Sequence, residues 1–228
     1  MSPEITYILI VMTVYACLFA SACFGAEALL AYIVMITITG NVVVGKVITL
    51  FGYQMNPAAA LAVMLFWIGS LLTQYNGVRV AKRALYYNVT SLAFMTLVGW
   101  LIMNIPSNVS PSMTEAIKTI FGFMPGVLLG AAASFSAAFM FTILVQRKLQ
   151  KRWHGELPIL LQTGLVATAT LLDIAIFTTV AYYNSGANIP QMIVMTWAVR
   201  LVVIAMGIPV IMGIRALHHR GKIPLLTE

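Results

Sequence analysis

Apolar residues fall into seven long blocks along this chain, at roughly 5–24, 27–50, 57–76, 84–104, 121–146, 157–183 and 191–215. At about 1.5 Å per helical residue, each is long enough to cross about 30 Å of hydrocarbon. The breaks between them carry turn chemistry: "FGA" at 24–26, "GYQMNP" at 52–57, "NIPSNVSPS" at 104–112 and "NSGANIP" at 184–190. Glycine, proline and asparagine punctuate helices in this way. No break is long enough to separate two folding units. The pattern therefore predicts one all-α domain over 1–228, a polytopic transmembrane bundle of about seven helices.

Composition agrees with lipid as the solvent. The chain is 61% hydrophobic and only 8% charged, against roughly 25% charged in soluble domains. A net charge of +7 raises nucleic acid as a partner, but the placement of the charges excludes it. Most of the 13 Lys and Arg form three clusters: Arg79, Lys82, Arg83; Arg147, Lys148, Lys151, Arg152; and Arg215, Arg220, Lys222. They follow the third, fifth and seventh blocks. Alternating spans place all three on one side, which the positive-inside rule makes the cytoplasm. The N-terminus is then outside and the C-terminus cytoplasmic, in a multi-pass protein of the cell inner membrane. "MSPEITY" has no Lys or Arg ahead of the first block, which favours a retained helix over a cleaved leader. Cys17 and Cys23 lie on one block, about 9 Å apart along a helix, too far for a disulfide.

Three ionisable residues fall inside expected spans: Lys46, Asp173 and Arg200. Such groups cost about 2.5–3.5 kcal/mol at a helix centre on insertion scales, and they face partners or cavities. With the sixth block running outward and the seventh inward, Asp173 and Arg200 sit at one level, with Asn41 at similar depth and Lys46 nearer the outside. Asp173 and Arg200 are expected to meet, in a pair that can be bidentate. The pair is either a structural clasp or the floor of a polar pocket near the midplane, and the pocket is the favoured reading. A proton relay fits less well, because Arg does not deprotonate. Ser70, Thr73, Gln74, Thr168 and Thr170 are further candidates for the lining, although threonines on helices often bond back to their own backbone. Trp67 and Trp197 offer stacking faces for a flat ring, or serve as packing and interface residues.

Other signals bound the chemistry. "GVLLGAAASFSAA" (126–138) reads as a tightly packed helix face without charge. There is no phosphate-binding glycine loop with its lysine, no metal-ligand spacing and no nucleophile–base pairing. An enzyme and a bound cofactor are not expected. "NVT" (88–90) and "NVS" (108–110) fit a glycosylation pattern, the first inside an expected span.

Several stretches resemble a known family. "GNVVVGKVITLFG" (40–52), "QYNGVRVAKRAL" (74–85), "IFGFMP" (120–125), "LLDIAIFTTVAYY" (171–183) and "WAVRLVVIAMGIPV" (197–210) occur in the order and spacing of the queuosine-precursor transporter family, also called vitamin-uptake-transporter-like. The resemblance implies a bundle like the substrate-binding membrane components of vitamin importers, with an additional helix at 5–24 ahead of a family-like core at 27–215. It implies import of a deazapurine precursor, such as 7-cyano- or 7-aminomethyl-7-deazaguanine. Asn41, Lys46 and Asp173 match family positions, and Arg200 stands where members carry a basic residue. Where the family has an Asp and a Glu before the Tyr–Gly turn, this chain has Ser70 and Gln74. Phe139 and Thr142 align with its Gln and Asp, and Thr170 with a frequent Gln.

The expected function is therefore import of a small, polar, purine-like solute through a site formed by Asn41, Lys46, Ser70, Gln74, Thr170, Asp173 and Arg200. Two other readings stay open: a substrate-binding subunit that needs an ATPase partner, and a structural membrane protein without a small-molecule ligand. The expected partners are the solute and the lipid bilayer. An ATPase partner and a homo-oligomer are left open.

Overall fold

The computed structural model describes residues 2–44, 46, 48–50, 53–105, 115, 118, 121, 124–183 and 188–223. Parts of the expected breaks at 104–112 and 184–190, part of "IFGFMP" and Asn108 lie outside the described residues. Within them the chain forms α1 (Pro3–Phe24), α2 (Ala26–Val43), β1 (Ile48–Leu50), β2 (Tyr53–Met55), α3 (Ala59–Tyr75), α4 (Gly77–Met103), α5 (Met124–Trp153), α6 (Ile159–Tyr182) and α7 (Ile189–His219). All of these helices except α3 are long and apolar enough to cross a membrane.

The helix ends follow local chemistry. Ser2 caps α1 by accepting from the Ile5 amide at 3.3 Å, with Pro3 in the first turn. Gly25 joins α1 to α2 at φ 99°, and Gly77 opens α4 at φ 78°, left-handed values that glycine adopts without steric cost. The lysines and arginines at the end of α5 sit where the helix dipole favours cations.

The second block departs from expectation. It was expected to be helical over 27–50, but α2 ends at Val43. "VVVGKVIT" is rich in β-branched residues and contains a glycine, a poor helix continuation. β1 and β2 then pair as an antiparallel hairpin, Ile48 opposite Met55 and Leu50 opposite Tyr53. Asn56 ties the hairpin down: its Nδ2 donates to the Val44 carbonyl, and its Oδ1 accepts from the Ala58 amide at 2.8 Å. Lys46 therefore lies beyond the helix and is exposed, not inside a span.

α3 has 17 residues and can be short because lipid does not surround it. It packs against every other helix, and nearly all of it from Ala59 to Thr73 is buried. A helix that is apolar all round is satisfied by such a central position. The outer helices instead expose large apolar side chains such as Leu9, Phe94, Leu129, Leu160 and Val194. An apolar surface this extensive marks contact with acyl chains.

α1 is held against the bundle by Tyr15. Its hydroxyl donates to the Val203 carbonyl of α7 at 2.7 Å. The ring lies on Gly207, where an added Cβ would be 2.2 Å from the tyrosine oxygen. Tyr15→Phe is expected to cost about 1 kcal/mol, and Gly207→Ala about 1–3 kcal/mol through overpacking. Thermal unfolding in detergent should rank them in that order.

Candidate functional site

Asp173 on α6 and Arg200 on α7 meet, as their common depth required. Arg200 Nη1 donates to Asp173 Oδ2 at 2.7 Å, and both residues are buried, at 5% and 7% exposure. The contact is made by one guanidinium nitrogen and is not bidentate. Nη1 also donates to the Thr170 carbonyl at 3.0 Å, and the other carboxylate oxygen accepts from Ser134 of α5 at 2.8 Å. Arg200 Nε is buried with no partner among the described residues. A self-contained clasp would satisfy that donor, since an orphaned buried polar group is costly.

The pair borders a cavity of about 260 Å³, near the lower end of small-molecule sites. Thr37, Asn41, Asn88, Ser134, Asp173 and Arg200 supply polar wall, while Phe66, Phe135 and Phe177 supply apolar faces. The cavity reaches Val44, Asn56 and Tyr182, at the end of the bundle that carries the hairpin. Asn41 reaches it by way of α2, its Nδ2 donating to the Thr37 carbonyl at 2.7 Å.

The remaining candidates lie elsewhere. Ser70 is buried deeper, in an amide network. It donates to Gln146 Oε1 at 2.7 Å and accepts from Gln162 Nε2 at 2.7 Å, and Arg215 donates to Gln162 Oε1. Gln74 stands one turn further on, beside Tyr75, Arg147 and Glu156. Thr170 supplies only its carbonyl to Arg200, while its hydroxyl bonds to Ala167 O at 2.9 Å. Thr73 and Thr168 bond back to their own helices, to Gly69 O and Gly164 O. Trp67 is fully buried, and Trp197 donates to the Ala167 carbonyl at 3.1 Å. Neither tryptophan lines the cavity, and nor does Lys46.

The network and an aromatic layer separate the cavity from the basic end. Phe66, Phe135 and Phe139 pack in series, with ring centroids 5.9 and 4.8 Å apart. Below them lie Ser70, Gln146, Gln162 and Arg215. Tyr75 then packs on His218 in a tilted arrangement with ring centroids 4.3 Å apart, and His219 pairs with Glu156 at 3.2 Å. These contacts gather the last turns of α3, α5 and α7 and the start of α6 at one end.

Sequence reasoning missed Thr37, Asn88 and Ser134. Ser134 lies in the small-residue run read as packing alone, and Asn88 in the "NVT" read as a glycosylation pattern. The available signal was an amide or hydroxyl within an apolar span, near the depth of the charged pair.

Residues 56–214 match the model of the family described as "Putative vitamin uptake transporter". The chain belongs to this family. Over 162 residues, 70% of each chain, it is 28% identical to a Bacillus subtilis (strain 168) protein named "Probable queuosine precursor transporter". No solved structure matches it. As a member of the vitamin uptake transporter family with six helices among the described residues able to span a membrane, the protein is a multi-pass membrane transporter. The matched span contains Asn88, Ser134, Asp173 and Arg200 but not α1, α2 or the hairpin.

Proposed function

We propose that this protein imports a queuosine precursor, a deazaguanine such as 7-cyano- or 7-aminomethyl-7-deazaguanine, and binds it in the cavity at Asp173 and Arg200. The observation that carries the reading is a buried ion pair bordering a cavity, with the guanidinium bonded through Nη1 alone among the described residues. The named relative supports the solute class. A guanine-like edge presents a carbonyl acceptor beside N–H donors. Arg200 complements the carbonyl and Asp173 the donors, which its remaining lone pairs can accept. The phenylalanines offer apolar faces to the ring.

The positive-inside rule puts the basic end in the cytoplasm of a cell whose inner membrane holds the protein. The cavity then faces outside, and the aromatic layer and amide network close the path inward. Import requires that closure to part.

Binding is read from thermal unfolding of the detergent-purified protein. Either precursor should stabilise it by about 2.7 kcal/mol at a hundredfold excess over the dissociation constant, and the effect should disappear in Asp173→Ala. An unfolding midpoint that no deazaguanine, guanine or queuine raises would overturn the substrate assignment.

A further inference from the structure

Asn88 lies within α4 and is 2% exposed. Its Nδ2 donates to Thr37 Oγ1 at 2.6 Å, and Thr37 donates its own proton to the Ile33 carbonyl at 2.7 Å. The direction of this relay fixes the amide. A threonine has one hydroxyl proton, and this one is given to the backbone, so its oxygen can only accept. Asn88 must present its NH2 to Thr37 and hold Oδ1 as a free acceptor. Among the described residues no donor reaches Oδ1. Both side chains line the cavity that holds Asp173 and Arg200.

A polar tie between two membrane helices is common, and the NH2 group alone completes the tie between α2 and α4. The carbonyl oxygen is surplus to it. That surplus matches a need of the solute. An exocyclic amine on a purine-like ring carries two N–H groups. One points along the same edge as the ring N–H, where a carboxylate accepts both. The second points away and loses its water when the ring enters the cavity. A neutral acceptor held in a fixed direction replaces that water.

We infer that Asn88 is a specificity residue, its Oδ1 accepting the second N–H of the exocyclic amine, with Thr37 as the positioning residue that holds it. The inference rests on the proposed function, and it assigns to Asn88 the selection of 2-amino-4-oxo rings over rings without the amine.

The test uses the full chain in detergent with 7-deazaguanine and 7-deazahypoxanthine, which differ by that amine, and takes dissociation constants from ligand-dependent stabilisation. The wild-type protein should bind 7-deazaguanine at least about tenfold more tightly. Asn88→Leu should reduce the ratio about tenfold. Thr37→Val, close to isosteric and with Asn88 in place, should reduce the ratio in the same direction, and Thr37→Ser should restore it. The Thr37 pair decides the matter if Asn88→Leu does not fold. An unchanged ratio in Asn88→Leu, or in Thr37→Val where the first variant is unfolded, overturns the inference and leaves the transport reading standing. Failure of both rings to bind the wild-type protein overturns that reading and the inference with it.

Discussion

Asp173→Ala is expected to abolish uptake of the solute while the protein still reaches the membrane. The substitution leaves Arg200 charged, buried and without its carboxylate, and it leaves Ser134 only the longer contact to the Ala131 carbonyl. Breaking a buried pair on one side costs about 3–5 kcal/mol, mostly from the stranded charge. The unfolding midpoint should fall accordingly. Replacing both partners, Asp173→Leu with Arg200→Leu, removes the stranded charge and should restore stability to near the wild-type value or up to about 4 kcal/mol above it. Uptake should stay absent in the double variant. Recovery of uptake together with stability would mean that the pair is a structural clasp.

The second large effect is expected at Gly69 on α3. An added Cβ would lie 2.3 and 2.6 Å from two ring atoms of Phe139. That ring is fully buried and packed against Phe135. Gly69→Val should cost about 3 kcal/mol or more, at the upper end for overpacking. It should also weaken solute binding, because Phe135 forms cavity wall and Ser70, the adjacent residue, anchors the amide network. Shrinking the opposing side chain tests the cause: Gly69→Ala with Phe139→Leu should unfold at a higher temperature than Gly69→Ala alone. Equal midpoints would place the cost elsewhere.

Much of this fold could be read from the pattern of apolar blocks, because each span answers to one physical demand, the thickness of the hydrocarbon. The Asp173–Arg200 contact was legible for the same reason: two charges at one depth in adjacent antiparallel spans have few other ways to be satisfied. The hairpin was not legible, since "VVVGKVITL" is as apolar as a helix and hydropathy alone does not distinguish the two. Their polar character within the third span placed Ser70 and Gln74 with the binding residues, but neither lines the cavity; Ser70 lies within the buried amide network. Asn88 and Thr37 escaped notice because their role depends on the contact between α2 and α4, which no local pattern encodes. The centrality of α3 was equally hidden, as its composition matches that of a lipid-facing span.

Import by this chain alone is tested by accumulation of labelled 7-cyano-7-deazaguanine in proteoliposomes that contain only the purified protein. Time-dependent accumulation above protein-free vesicles is expected, lost in Asp173→Ala. Binding in detergent without accumulation in any imposed ion gradient would contradict it, and would make the chain a substrate-capturing subunit that needs a separate energising partner.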